Sequence, residues 1–196
     1  MIKYYVKQKH LFDKAEGGQN MKHVLIVVDI QKDFVDGALG TAEAVAITEG
    51  ASELIRNFDG DIFVTYDTHY DSYMTTAEGK KLSVPHCIKG TDGWELNESV
   101  AAALSGKKYT PVEKLTFGST ELPGLVSAAV GDEDFDITII GLCTDICVVS
   151  NALILKATFP DKEIYVDSSC CAGVTVDSHN AALTTMKMCQ INVING

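Results

Sequence analysis

The sequence predicts a doubly wound α/β domain, a six-stranded parallel sheet with helices on both faces. Three observations carry that expectation. Runs rich in β-branched residues alternate with segments of helical spacing, turn formers punctuate the alternation, and no internal repeat interrupts it. The 196 residues suffice for one sizeable core and are too few for two ordinary domains, so residues 21–196 are read as one domain. Residues 1–20 (MIKYYVKQKHLFDKAEGGQN) precede the first strong strand and are set apart as an N-terminal extension of unassigned role.

Residues 23–30 (HVLIVVDI) form a near-continuous apolar run, as a parallel strand buried on both faces requires, and deliver Asp29 at its carboxyl end. A loop with Gly37 and Gly40 follows, then helical spacing through Ile47, Ala51, Leu54, Ile55 and Phe58. Residues 61–67 (DIFVTYD) are the second strand, again ending on an acid, Asp67. Residues 68–93 make a long loop of few apolar residues, and such loops inside compact domains are commonly functional. A helix is expected over residues 94–104 and a third strand over 108–113. Pro111 puts that strand at the sheet edge because it cannot donate to the ladder, and Lys114 stands at its end. A helix over 122–130 leads to the central strand, residues 137–140, which runs into Gly141. The next helix starts near Ile146 with Cys147 in its first turn, and a strand over 163–167, a helix over 176–190 and a strand over 191–194 complete the alternation.

The formal charge of −11 excludes the basic footprint that nucleic acid or an anionic membrane surface needs, and no apolar run approaches the length of a membrane span. A small molecule is the expected partner, and a homo-oligomer the expected assembly. Six cysteines without a secretory signal or a stapled-domain spacing fit a cytoplasmic chain with reduced thiols. Cys143 and Cys147 form C-x₃-C, a weak redox signal, and the vicinal Cys170 and Cys171 are read as structural.

Ligands in open α/β sheets bind outside the carboxyl ends of the strands. Asp29, Lys114 and Cys147 fall on that edge, and a thiol in a first helical turn sits where backbone N–H groups and the helix dipole favour a thiolate. Taken alone, Cys147 fits a small buried apolar residue equally well. With its two neighbours it forms a possible hydrolytic set: the carboxylate takes the thiol proton, the ammonium steadies negative charge, and the sulfur attacks an acyl carbon. The long loop adds ligand types. Asp67 and His69 stand two apart on extended backbone, and Glu78 and His86 return to the same point once the loop folds over. Two imidazoles and two carboxylates suit zinc, manganese or iron and are too nitrogen-rich for calcium.

DIQKDF around Asp29, VEK around Lys114 and GLCTDICV around Cys147 resemble the isochorismatase-like cysteine hydrolases, and the metal-ligand loop is most similar to their nicotinamidase/pyrazinamidase branch. The resemblance spans residue 21 to the end of the chain. It implies a sheet of order 3-2-1-4-5-6, a catalytic triad of Asp29, Lys114 and Cys147, and a cis peptide before Cys143. It also implies an oxyanion hole from the backbone N–H groups of Cys143 and Cys147. Metal ligands carried over are Asp67, His69 and His86, with Glu78 in register with the fourth, and one divalent ion, zinc first and manganese or iron next, is the implied cofactor. Where that branch often has an aromatic three residues before its last metal histidine, this chain has Ser83, so ring contact falls to Phe34 and Phe117 with Cys143 beside them.

The activity so implied is hydrolysis of nicotinamide to nicotinate and ammonia, as in NAD salvage. Three alternatives stay open at this stage: a hydrolase of another small amide or ureide, a non-catalytic binding module, and a redox protein using Cys143 and Cys147. The binding module lacks a glycine-rich phosphate loop after the first strand.

Overall fold

Strand β1 (Lys22–Val28) sends Val24, Ile26 and Val28 into one apolar cluster and Leu25 and Val27 into another. Successive strand residues point to opposite faces, so an unbroken apolar run is what a strand covered on both sides needs. The computed structural model describes residues 21–196, and the extension expected over residues 1–20 lies outside them. After β1 come α1 (Lys32–Val35), α2 (Ala42–Asn57), β2 (Asp61–Asp67), α3 (Glu98–Leu104), β3 (Tyr109–Lys114) and α4 (Leu122–Val130). The second half is β4 (Phe135–Leu142), α5 (Val149–Thr158), β5 (Ile164–Ala172), α6 (Val176–Met188) and β6 (Asn192–Ile194).

The six strands pair in parallel in the order β3-β2-β1-β4-β5-β6. Helices α2 and α3 cover one face through Ile47, Ile55, Val100 and Leu104, and α4, α5 and α6 cover the other through Leu122, Val126, Leu155 and Met186. Each such burial contributes about 1.5–3 kcal/mol relative to exposure. Chain order reverses between β1 and β4, and that switch point opens the crevice in which doubly wound sheets take ligands. No helix of the described residues is long and apolar enough to cross a membrane.

Most expected elements are present, and α1 is an additional short helix inside the stretch expected as a loop, with other differences elsewhere. Strand β1 ends at Val28, and Asp29 has already left it with a φ of 48°. The helix expected from residue 94 begins at Glu98, capped by Asn97, whose Oδ1 accepts from Ser99 N at 3.1 Å. Trp94 instead closes a 3₁₀ turn (Asp92–Trp94) and sends Nε1 to Thr68 Oγ1 at 3.0 Å. Strand β5 runs on to Ala172, well past Asp167. A register shift between Ile139 and Gly141 lets Cys171 and Ala172 pair with Gly141 and Leu142. Finally, the helix after β4 opens with a wide π turn (Thr144–Val148), in which Val148 N reaches back to Cys143 O at 3.0 Å, so Cys147 precedes α5. None of the six cysteines is in a disulfide.

Candidate active site

Asp29 follows β1, Asp67 ends β2, Lys114 ends β3 and Cys147 sits in the turn after β4, so four neighbouring strands each deliver one functional group to the same edge. The turn at Asp29 is possible because Val28, just before it, faces a glycine across the ladder. Val28 pairs with Gly141, whose φ is 123°, and a Cβ there would lie 2.0 Å from Val28 O. Asp29 itself holds a left-handed backbone that non-glycine residues rarely adopt, and such positions concentrate at functional sites.

Lys114 is the hub. Its Nζ lies 2.6 Å from Asp29 Oδ2, 3.1 Å from Asp67 Oδ1 and 3.5 Å from Cys147 Sγ. All of these groups are buried. Burial works against the ammonium, but Asp29, Cys147 and Asp67 together hold its pKa above the ordinary lysine value. Burial pushes the Asp29 carboxyl up, with Lys114 pulling against it. The Cys147 thiol is driven well above its usual range by burial and then by the Asp29 charge, while Lys114 pulls it down. Attack by its sulfur requires loss of the thiol proton to a base. Asp29 is placed to be one: Oδ1 accepts from Thr65 Oγ1 at 2.6 Å, and Oδ2 is paired with the Lys114 ammonium that also reaches Cys147 Sγ.

Asp67 divides its two oxygens. Oδ1 faces Lys114, and Oδ2 lies 3.0 Å from His69 Nε2 and 3.5 Å from His86 Nε2. The donor atoms of Asp67, His69 and His86 all lie within 4.8 Å of one another and all three residues are buried. Glu78 Oε1 stands 3.7 Å from His69 Nε2 and 3.5 Å from His86 Nε2, outside that tight group but beside it. This donor set fits a divalent ion. His69 Nε2 is buried 3.0 Å from Asp67 Oδ2 and has no well-directed hydrogen bond among the described residues, the kind of orphaned polar atom that a metal would satisfy. Two ligands bound tetrahedrally at about 2.0–2.2 Å to one ion stand about 3.3–3.6 Å apart, and the donor separations here run from 3.0 to 3.7 Å. His86 Nδ1 lies 2.9 Å from Val84 O, the backbone partner that fixes a ligating histidine with its other nitrogen free. The rival loop acids are elsewhere: Asp71 is exposed, and Asp92 pairs with Lys32 at 2.6 Å.

A cavity of about 550 Å³ joins these two centres, lined by Asp67, His69, Glu78 and His86 and by Cys147. Phe34, Phe117 and Cys143 also line it. The Phe34 ring is tilted against that of His86, with centroids 5.4 Å apart. The peptide before Cys143 is cis. Burial pushes the Cys143 thiol up to about 12, with the Asp145 charge adding to the shift, which suits a packing thiol better than a reactive one.

A family model described as the isochorismatase domain matches residues 23–196. The chain belongs to the isochorismatase family. Among curated relatives, the nicotinamidase/pyrazinamidase of Mycobacterium tuberculosis is 25% identical over 186 residues, covering 87% of this chain and 97% of the relative. Among solved structures, the nicotinamidase/pyrazinamidase of Bacillus subtilis superposes with a TM-score of 0.75 at 26% identity, covering 88% of this chain and 99% of that one. The pyrazinamidase/nicotinamidase of Streptococcus mutans gives a TM-score of 0.77 at 25% identity over 88% of this chain and 100% of that one. The parallel sheet order and helical layers of this isochorismatase-family chain are those of its structural neighbours.

Four supporting residues around this candidate site escape a reading based on reactive groups alone. Gln31 clasps the backbone of Asp67: its Oε1 accepts from Asp67 N at 2.8 Å, and its Nε2 donates to Asp67 O at 2.9 Å and Trp94 O at 2.8 Å. Asp33 Oδ2 accepts from Cys87 N at 2.7 Å and so pins the loop one residue after His86. Thr65 seats Asp29, and Asn151 ties the turn to the opposite wall by donating to Cys147 O at 2.8 Å and accepting from Ser119 N at 2.9 Å. Their signal was polarity: Gln31 and Asp33 stand inside DIQKDF, and Thr65 and Asn151 are polar residues in otherwise apolar stretches.

Proposed function

We propose that the protein hydrolyses nicotinamide to nicotinate and ammonia, with Cys147 as nucleophile, in the cytoplasmic salvage of NAD. More coarsely, it is a hydrolase acting on amide C–N bonds. The observation that carries the reading is Lys114, one ammonium within 3.5 Å of Asp29, Asp67 and Cys147 and so common to the thiol centre and the Asp/His/His cluster.

Asp29 takes the Cys147 proton as the sulfur attacks the carboxamide carbon, and Lys114 steadies the charge on both. The backbone N–H groups of Cys143 and Cys147 receive the oxyanion, a contribution worth about 10²–10³ in rate per donor in comparable sites. Asp29 then returns the proton to the leaving nitrogen, ammonia departs, and a thioester remains. A water molecule deprotonated by Asp29 attacks the thioester, the acid is released, and the thiol recovers its proton. Asp67, His69 and His86, with Glu78 beside them, would hold a divalent ion, zinc by its preference for nitrogen and carboxylate donors. When bound, the ion supplies a Lewis-acidic hold on the ring nitrogen of the substrate. Phe34 and Phe117 offer apolar contact to the ring.

An ammonia-release assay on the purified protein with nicotinamide, pyrazinamide and a ureide, run beside elemental analysis, tests this reading. Turnover of the two ring amides with about one bound ion per chain is expected. A metal-free protein that hydrolyses only the ureide would overturn it.

A further inference from the structure

We infer that the preferred substrate is a primary carboxamide whose ring carries a further apolar substituent, on the side away from the amide. The inference rests on the reading of Cys147 as an amide-cleaving nucleophile and narrows its substrate.

Two features of the cavity carry it. The first is closure on the leaving-group side. Asp29 and Lys114 touch the thiol centre, yet neither lines the cavity, and they are 0% and 3% exposed. Only Cys147 of the three reaches the open space, so the carboxamide nitrogen must enter a sealed corner to receive a proton from Asp29. That corner admits an NH₂ group and excludes a carbon substituent on the nitrogen. The second is the surplus of room on the other side. The cavity of about 550 Å³ lies in the range of about 300–1,000 Å³ typical of sites for drug-sized ligands. A one-ring amide held between Cys147 and the His69/His86 pair leaves much of it unfilled.

The cavity wall is largely apolar. Leu39, Leu82, Leu115, Ile146 and Val174 line it along with Lys81 and three threonines, and Leu115 and Val174 remain 68% and 51% exposed. None of these five apolar side chains can orient a polar group. Bound apolar surface is what they would gain from, because each removes water from hydrocarbon on contact. A ring bearing an alkyl or aryl group places that group against them while its carboxamide meets Cys147 and its nitrogen meets the Asp/His/His cluster.

The test compares kcat/KM for nicotinamide, 5-phenylnicotinamide and N-benzylnicotinamide on the metal-loaded protein, following acid formation by chromatography. Burying one phenyl group predicts a gain of about 10-fold or more for 5-phenylnicotinamide over nicotinamide. N-benzylnicotinamide should turn over at less than about a tenth of the nicotinamide rate. Leu115→Ser and Val174→Ser, both at exposed positions where folding is not at stake, should lower the 5-phenyl to nicotinamide ratio by a few-fold each. Hydrolysis of nicotinamide with no gain for the 5-phenyl compound would overturn the inference and leave the amidase reading standing. Efficient cleavage of N-benzylnicotinamide would overturn the sealed corner. Failure on all three amides would remove the amidase reading itself.

Discussion

Lys114 Nζ lies 3.1 Å from Asp67 Oδ1, so the ammonium that serves the thiol also grips the acid of the histidine cluster. The two centres are thus electrostatically one. A buried lysine is costly by itself, and here two carboxylates balance it.

Lys114→Met should therefore damage more than chemistry. It leaves Asp29 and Asp67 without their shared cation, and removing one member of a buried ion pair costs about 3–5 kcal/mol. We expect a clear fall in Tm, loss of ammonia release and reduced zinc content in the same variant. A Lys114→Met protein with wild-type Tm and zinc content would mean that the lysine is not what holds Asp67.

The thiols should sort by environment. Burial and Asp29 hold the Cys147 thiol well above its usual range, so its alkylation by iodoacetamide should be slow at neutral pH and climb through the alkaline range. Because Lys114 lowers that pKa, removing the ammonium should shift the Cys147 profile to still higher pH. Exposed Cys189 serves as the reference thiol in the same peptide-resolved experiment. An identical Cys147 profile with and without Lys114 would separate the two groups.

Cys147→Ala should abolish turnover while keeping fold and bound metal, since the change removes one sulfur from a core that already packs it. Cys143→Ala should retain most activity, because only the backbone N–H of that residue is asked to act. Equal losses in both variants would favour a C-x₃-C redox pair.

The sheet was legible because its strands are apolar runs of the right length: the predicted and observed spans of β2 coincide at Asp61–Asp67, and those of α4 at Leu122–Val130. The edge position of β3 followed from Pro111. What the residue pattern hid was set by tertiary contact. Strand β5 reads as ending at Asp167 because Ser168 and Ser169 break the apolar run, but Cys171 and Ala172 gain ladder partners only through the shift opposite Gly141. Trp94 looks like a helix start, yet its carbonyl is taken by Gln31, a contact between residues 63 apart. Asp29, Lys114 and Cys147 could be placed on one edge from strand ends alone. Their separations, and the division of Asp67 between Lys114 and the histidines, needed three dimensions.

Metal retention should separate true ligands from bystanders. His69→Ala and His86→Ala should purify with little zinc and poor activity. Glu78→Ala should show a partial version of the same defect: its carboxylate lies 3.5 and 3.7 Å from the imidazoles, yet outside the set of mutually close donors. Asp71→Ala, at an exposed position, should match the wild type in metal content. Full zinc in the Glu78 variant would take Glu78 out of the site.

Gln31 offers the sharpest test of how the cluster is held. Its amide is fully buried and spends its oxygen and its nitrogen on three backbone groups, two of them the N–H and C=O of Asp67. Gln31→Leu keeps the bulk but strands those groups, and each unsatisfied buried polar group costs about 1–3 kcal/mol. Asp67 should then drift, and outer contacts of this kind typically tune metal affinity by about 10–100-fold. We expect Gln31→Leu to lower Tm and weaken zinc binding in a chelator competition, with Phe34 and the distant core unaltered. Gln31→Glu separates hydrogen bonding from bulk. Ionised, the new carboxylate still accepts from Asp67 N but points an oxygen at two carbonyls; protonated, it can donate to one of them. Its pKa should thus be raised in the folded protein, so the variant's Tm deficit relative to wild type should be small at low pH and grow as pH rises through that value. A deficit independent of pH, or a Gln31→Leu protein with unchanged zinc affinity, would show that Asp67 is positioned by the strand alone.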